Sequence, residues 1–169
     1  KSACIYTNNF DRLITMITYS KETSVKDFTP ALIYMLSRLN NIKNIVLCAY
    51  DFINVDNENV KFYNANFKKV LITLQKNISK VLSSENTDTK YIITIIGYTK
   101  LNAHLQNMKE DDDTVILLDD IIMMCEKADL FRFIIVDNTS LLTNIDNVSW
   151  YNLVSTNNGI LLSTEFDSQ

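Results

Sequence analysis

The sequence predicts an α/β fold with three layers and a mainly parallel central sheet, and three observations predict it. Short apolar runs rich in β-branched residues recur, as in RLITMITY, KNIVLCAY, KYIITIIGY and FRFIIVDN. Strands buried on both faces read in this near-continuous way. Stretches with apolar residues at helical spacing lie between them, and alternation of the two gives a parallel sheet covered on both sides. With 169 residues, 47% hydrophobic and 21% charged, one domain spanning 1–169 can bury a full core.

The elements follow in order. CIY (Cys4 to Tyr6) is a short strand beside RLITMITY (Arg12 to Tyr19). A polar stretch from Ser20 to Asp27 then leads to TPALIYMLSRL, where Thr29 can cap a helix and Pro30 can take its first position, since the missing N–H costs little there. Leu32, Ile33, Leu36 and Leu39 form its buried stripe. KNIVLCAY (Lys43 to Tyr50) is the next strand. After a polar loop, FKKVLITLQKNISKVL sets Phe67, Val70, Leu71, Leu74, Ile78 and Val81 on one helical face with lysines opposite.

KYIITIIGY (Lys90 to Tyr98) is a third buried strand. KLNAHLQNM is helical and polar, an acidic turn covers Glu110 to Asp113, and TVILLDDIIMMCEKA is a further helix. FRFIIVDN (Phe131 to Asn138) and GILLS (Gly159 to Ser163) close the set of strands. Two glycines and one proline in the whole chain leave the turns to Asn, Asp and Ser, which tolerate turn geometry.

Bulk properties exclude several classes. A net charge of −4 and a pI near 4.9 argue against nucleic acid as the main ligand, because phosphate backbones need a basic face. Cys4, Cys48 and Cys125 lie in apolar runs without CxxC pairing, which fits structural thiols in a reducing compartment. No signal peptide is expected, and no run approaches the ~20 apolar residues that a membrane span requires. The first residue is Lys1 rather than Met, so the expectation is a piece excised from a longer multidomain chain.

The segment from Ile14 to Leu36 has the layout of a strand, a phosphate loop and a helix. In a P-loop, G-x-x-x-x-G-K-[ST], glycines turn backbone N–H groups toward the phosphates, the lysine reaches the terminal phosphates and the hydroxyl holds Mg²⁺. Aligned on Lys26, the two glycines are replaced by Ser20 and Val25, and the hydroxyl position is Asp27. Val25 is the most damaging change, since a β-branched side chain resists positive φ and blocks the approach of phosphate. A P-loop ATPase also carries an acid at the end of a later strand; KYIITIIGY reaches Gly97 and Tyr98 at those places. Neither can hold Mg²⁺ or activate water, so both halves of the machinery are missing together.

Other candidates carry less. His104 is the single histidine, which rules out a histidine metal cluster, and it reads as a surface residue. Asp119 and Asp120 read as a solvated helix face, and Asp112 with Asp113 as a surface turn. Asp51 and Asp137 each follow an apolar strand, where open parallel sheets place ligands, although local backbone bonding is the commoner use. Trp150 and Tyr151 read as core anchors of a helix. A flavodoxin- or receiver-like module with Asp51 as phosphoacceptor is an alternative, but only Glu22 supplies an acid near the first strand end.

The order of pieces resembles the FtsK/SpoIIIE family of P-loop ATPases with a RecA/FtsK-like fold. It looks most like the C-terminal, third ATPase domain of the coupling proteins of type VII secretion systems (EssC/EccC type). The resemblance runs through the opening strands, the P-loop place from Ser20 to Asp27, NIVLCAYD, the long lysine-faced helix, the strand ending at Gly97, FIIVDN and the closing SWYNLVSTNNGILLSTEFDSQ. It implies a cytoplasmic domain of a membrane-anchored motor with tandem ATPase modules. It further implies docking of small WXG100-type protein substrates, contact with neighbouring ATPase domains and a possible oligomer in the full-length protein.

Ser20, Lys26 and Asp27 are the nucleotide-binding candidates at the degenerate loop, with Lys26 the one match to a nucleotide-contacting residue. No catalytic residue and no metal ligand is assigned, and no cofactor is expected in this domain, ATP and Mg²⁺ belonging to sister domains. The leading expectation is a non-hydrolysing docking or regulatory module. A weakly active ATP-binding domain, using Lys26 with Asp27 or Asp51 on a metal, is the alternative.

Overall fold

A computed structural model describes residues 13–85, 88–126, 128–138 and 160–163. The chain forms β1 (Ile14–Tyr19), α1 (Glu22–Ser37), β2 (Ile42–Cys48), β3 (Val60–Tyr63), α2 (Phe67–Leu82), β4 (Lys90–Ile96), α3 (Tyr98–Asp111), α4 (Leu118–Met124), β5 (Phe131–Asn138) and β6 (Ile160–Ser163). The strands make one sheet in the order β3-β2-β4-β5-β1-β6, and every pairing is parallel. The α/β class and the parallel sheet follow the sequence expectation. The expected strand at Cys4 to Tyr6 and the helix around Trp150 and Tyr151 lie outside the described residues.

Strand order and handedness explain the layers. From β1 the chain crosses toward β2, on one side; from β3 to β4 and from β4 to β5 it steps back the other way. Because such crossovers keep one hand, the helices on the two routes fall on opposite faces. Side chains follow the period of two. On one face, Ile17, Val46, Cys48, Ile92, Ile96 and Val136 pack against Val25, Phe28, Leu32, Ile33 and Leu36 of α1. On the other, Met16, Leu47, Ile93, Ile95 and Phe133 pack against α2, α3 and α4 through Leu71, Leu101 and Ile121. Each fully buried leucine contributes roughly 1.5–3 kcal/mol by removal from water.

The first helix departs from expectation. It starts at Glu22, not at Pro30, and Pro30 sits inside it. Val25 and Phe28, both buried, extend the apolar stripe of Leu32 and Leu36 backwards at helical spacing, and this packing outweighs the preference of proline for a helix start. Thr29 is therefore a buried interior residue, and Leu39 lies beyond the helix end. At that end the Asn44 Nδ2 donates to the Leu36 carbonyl at 2.9 Å, satisfying one of the acceptors a helix terminus leaves open.

The long helix α2 follows its expected bounds, with Phe67, Leu71, Leu74 and Ile78 buried. The strand β3 lies within what reads as polar loop. The predicted use of asparagine in turns holds at Asn41 and Asn66, which take φ of 62° and 58°, a region that asparagine tolerates better than most residues. Cys48 and Cys125 are buried free thiols, and burial pushes their pKa values up to about 11 and about 12. Both are inert thiols used for packing.

Candidate functional site

In an open parallel sheet the crevice for a ligand lies at the carboxyl ends of the strands, where successive connections diverge. Here that point is between β1 and β5: the chain leaves β1 toward β2 and leaves β5 for β6, on the far side of β1. Thr18 and Tyr19 lie opposite Asp137 and Asn138 there. The site thus falls at the P-loop place read from the sequence.

Only Ser20 and Lys21 separate β1 from α1. A phosphate loop needs a run of backbone amides curving around the anion, and two residues cannot supply it. Val25 sits on the inward face of the second half of the first turn, completely buried among the α1 core residues. Ser20 is exposed in the short connection, while Lys26 and Asp27 are exposed on the helix itself. Lys26 is the fifth helical residue, about 6 Å along the axis from the helix start by the helical rise. The three nucleotide-binding candidates share this end of the molecule but do not converge on a common cradle.

Side chains fill the strand ends. Tyr19 is the last residue of β1, Tyr50 lies just after β2 and Tyr98 opens α3 after β4; their exposures are 2%, 4% and 2%. The hydroxyls of Tyr19 and Tyr50 meet at 2.5 Å in the interior. Lys100 lies over the Tyr50 ring, 4.8 Å from its centre. Tyr98 donates its hydroxyl proton to Asp119, and burial, reinforced by the Asp119 carboxylate, drives the Tyr98 pKa far above the ordinary phenol value. Asp119 is thus half-buried and engaged, a correction to its reading as a solvated position. Asp120 is exposed, as expected.

Gly97 occupies the place of the missing acid. Its φ is 76°, and a Cβ there would lie 2.9 Å from Tyr50 Cε2 and 3.0 Å from Ala49 Cβ. Its N–H donates to the Val136 carbonyl at 2.8 Å. The turn after β4 is therefore committed to packing against the end of β2, with no room for a carboxylate.

Asp137 is the one buried carboxyl at this point among the described residues, 1% exposed. It accepts from the Thr99 amide at 3.1 Å and the Thr99 hydroxyl at 2.5 Å, and from the Asn138 amide at 2.9 Å. Burial raises its pKa, and those hydrogen bonds oppose the rise. It anchors the start of α3 to β5, the local backbone use weighed for it from the sequence. Asp51 is exposed.

Among the described residues, no three His, Cys, Asp or Glu side chains gather where a metal ion could be held. Asp112, in the predicted surface turn, pairs with Lys68 and accepts from Thr114, and these bonds hold its carboxyl far below the usual range. His104 is exposed on α3 and meets Phe67 edge-on at 6.4 Å. Among the described residues no helix is long and apolar enough to cross a membrane.

The tyrosine plug was missed in the sequence, although a signal exists: ITY, CAY and IGY each put a tyrosine at or just past the end of a strand. No protein-family model matches the chain, and no curated protein matches it.

Proposed function

We propose that this chain is a degenerate P-loop domain of the FtsK/SpoIIIE type that docks protein partners and does not turn over nucleotide. One observation carries the proposal: at the switch point of the sheet, where such a domain would wrap a triphosphate, two residues and the buried Val25 stand in place of the loop. The parallel sheet with helices on both faces is compatible with a three-layer P-loop architecture. Loss of the acid at Gly97 and occupation of the strand ends by Tyr19, Tyr50 and Tyr98 point the same way. The setting proposed is the third ATPase-like module of a type VII secretion coupling protein, on the cytoplasmic side of a membrane anchor carried by the full-length protein. The partners are then WXG100-type substrates and neighbouring ATPase modules.

The experiment is a binding titration of the chain with WXG100-type substrates and with the active ATPase modules of a type VII coupling protein. Saturable binding to either class is expected. Absence of binding to both, together with magnesium-dependent ATP hydrolysis by the chain, contradicts the proposal.

A further inference from the structure

A sizeable open groove lies at the opposite end of the sheet from the P-loop place. It runs between α2 and the β2–β3 edge, with a larger part of about 640 Å³ near the strand beginnings and a smaller part of about 330 Å³ farther along. Ile45, Lys61, Leu74 and Asn77 line both parts, so the two are continuous. Ile45 and Leu74 line both parts, and Tyr63 and Val70 line the smaller one, as apolar patches among polar side chains such as Asn41 and Asn77. The register places Ile45 opposite Lys61 and Leu47 opposite Tyr63, which puts Lys61 and Tyr63 on the sheet face that packs against α2.

Charge along the groove opposes that of the whole chain. Lys43, Lys61, Lys69 and Lys80 line it against the single carboxylate of Glu58, in a protein of net charge −4. None of the four lysines takes part in an ion pair among the described residues; Lys68, which does, points to Asp112 instead. Beside them β3 is the terminal strand of the sheet among the described residues. An edge strand presents backbone N–H and C=O groups that a further strand can use, and an added strand sets every second side chain on the same face.

We propose that the groove and the edge of β3 form a docking surface for an extended acidic peptide segment of a partner protein. Backbone pairing to β3 supplies the register, and carboxylates of the segment meet Lys43, Lys61, Lys69 and Lys80. In a segment alternating acidic and aliphatic residues, the carboxylates face the lysines on the α2 side and the aliphatic side chains fall on the opposite face, the side of Val60 and Phe62. A nucleic acid fits less well, because dispersed lysines on an acidic molecule do not offset the repulsion of a dense phosphate chain. The four residues of β3 match a segment of about four to six residues at the rise of a strand. This surface deepens the docking role and rests on that reading for the kind of partner, while its geometry is separate from the nucleotide question.

The test uses a fluorescent peptide of about eight residues alternating glutamate and valine, titrated into the chain and followed by anisotropy. Saturable binding that weakens with salt is expected. The double substitution Lys61→Glu with Lys69→Glu should weaken binding by about tenfold or more with the thermal melt unchanged. N-methylation of alternate peptide amides should abolish it. Equal binding of a lysine–valine peptide, full binding by the double variant, or displacement by inorganic polyphosphate as effective as by unlabelled peptide overturns the docking surface. So does the absence of binding. In parallel titrations with ATP and Mg²⁺, failure of the peptide alone counts against the groove and tight nucleotide binding alone against the degenerate-loop reading.

Discussion

The two ends of the sheet differ in how they use space. At the carboxyl ends, Tyr19, Tyr50 and Tyr98 are buried, Gly97 is held against Tyr50, and the β1–α1 connection is two residues long. Near the strand beginnings, a groove of about 640 Å³ stays open beside a row of lysines and the strand that ends the sheet among the described residues. Parallel sheets place ligands at the first of these ends because helix starts and diverging loops leave a crevice there. When that crevice is packed with side chains, its residues become stability determinants, and surface chemistry is carried elsewhere. Substitutions at the carboxyl ends should therefore change folding, and those along the groove should change binding.

The largest effect is expected at Gly97. Gly97→Asp restores an acid where an ATPase carries one, but it forces a side chain onto a positive φ and into Tyr50. Strain of a non-glycine residue there and overpacking together cost about 2–5 kcal/mol, measurable by denaturant unfolding. A stable variant that gained magnesium-dependent nucleotide binding would break the comparison.

Tyr98→Phe should cost about 2 kcal/mol, since it removes a hydrogen bond to a partly buried carboxylate. Tyr19→Phe should cost about 1 kcal/mol, because its partner is the neutral Tyr50 hydroxyl. The same unfolding measurement ranks the two, and equal losses would show that Asp119 is not engaged as a charged acceptor.

Asp137 sharpens the comparison through pH. Its pKa is raised in the folded state above the ordinary 3.8, so between those values the native chain holds a proton that the unfolded chain releases. Stability from this group is therefore complete below about 3.8 and declines as pH rises through the folded value. Asp137→Asn lacks that decline, and its stability relative to the parent should improve steadily as pH rises through this window. A relative loss with rising pH would show that the Thr99 bonds outweigh burial.

The smallest stability effects belong to the groove. Lys61→Glu and Lys69→Glu touch exposed side chains and should each stay within about 0.5 kcal/mol of the parent, while changing affinity for acidic peptide. A large loss of stability would mean that the lysines serve the fold.

Much of the sheet was legible in the sequence because doubly covered strands are apolar over their whole length, as FRFIIVDN and KYIITII show. The helix α2 was legible because its apolar stripe and lysine face are regular. β3 was not, since VKFY has four residues, alternates polar and apolar, and sits at an edge. The start of α1 was obscured by Pro30, whose usual position at a helix start competed with the stripe of Val25 and Phe28. At the candidate site, replacement of the loop glycines was visible, but its consequence was not: no local pattern states that α1 begins at Glu22. The Tyr98–Asp119 bond joins residues 21 positions apart, and tertiary packing alone brings them together.

Calorimetric titration of the chain with ATP in the presence of Mg²⁺, alongside the Lys26→Ala variant, tests the closed turn between β1 and α1 most directly. No saturable heat from either protein is expected. Tight one-to-one binding by the parent that the Lys26→Ala variant loses would contradict it.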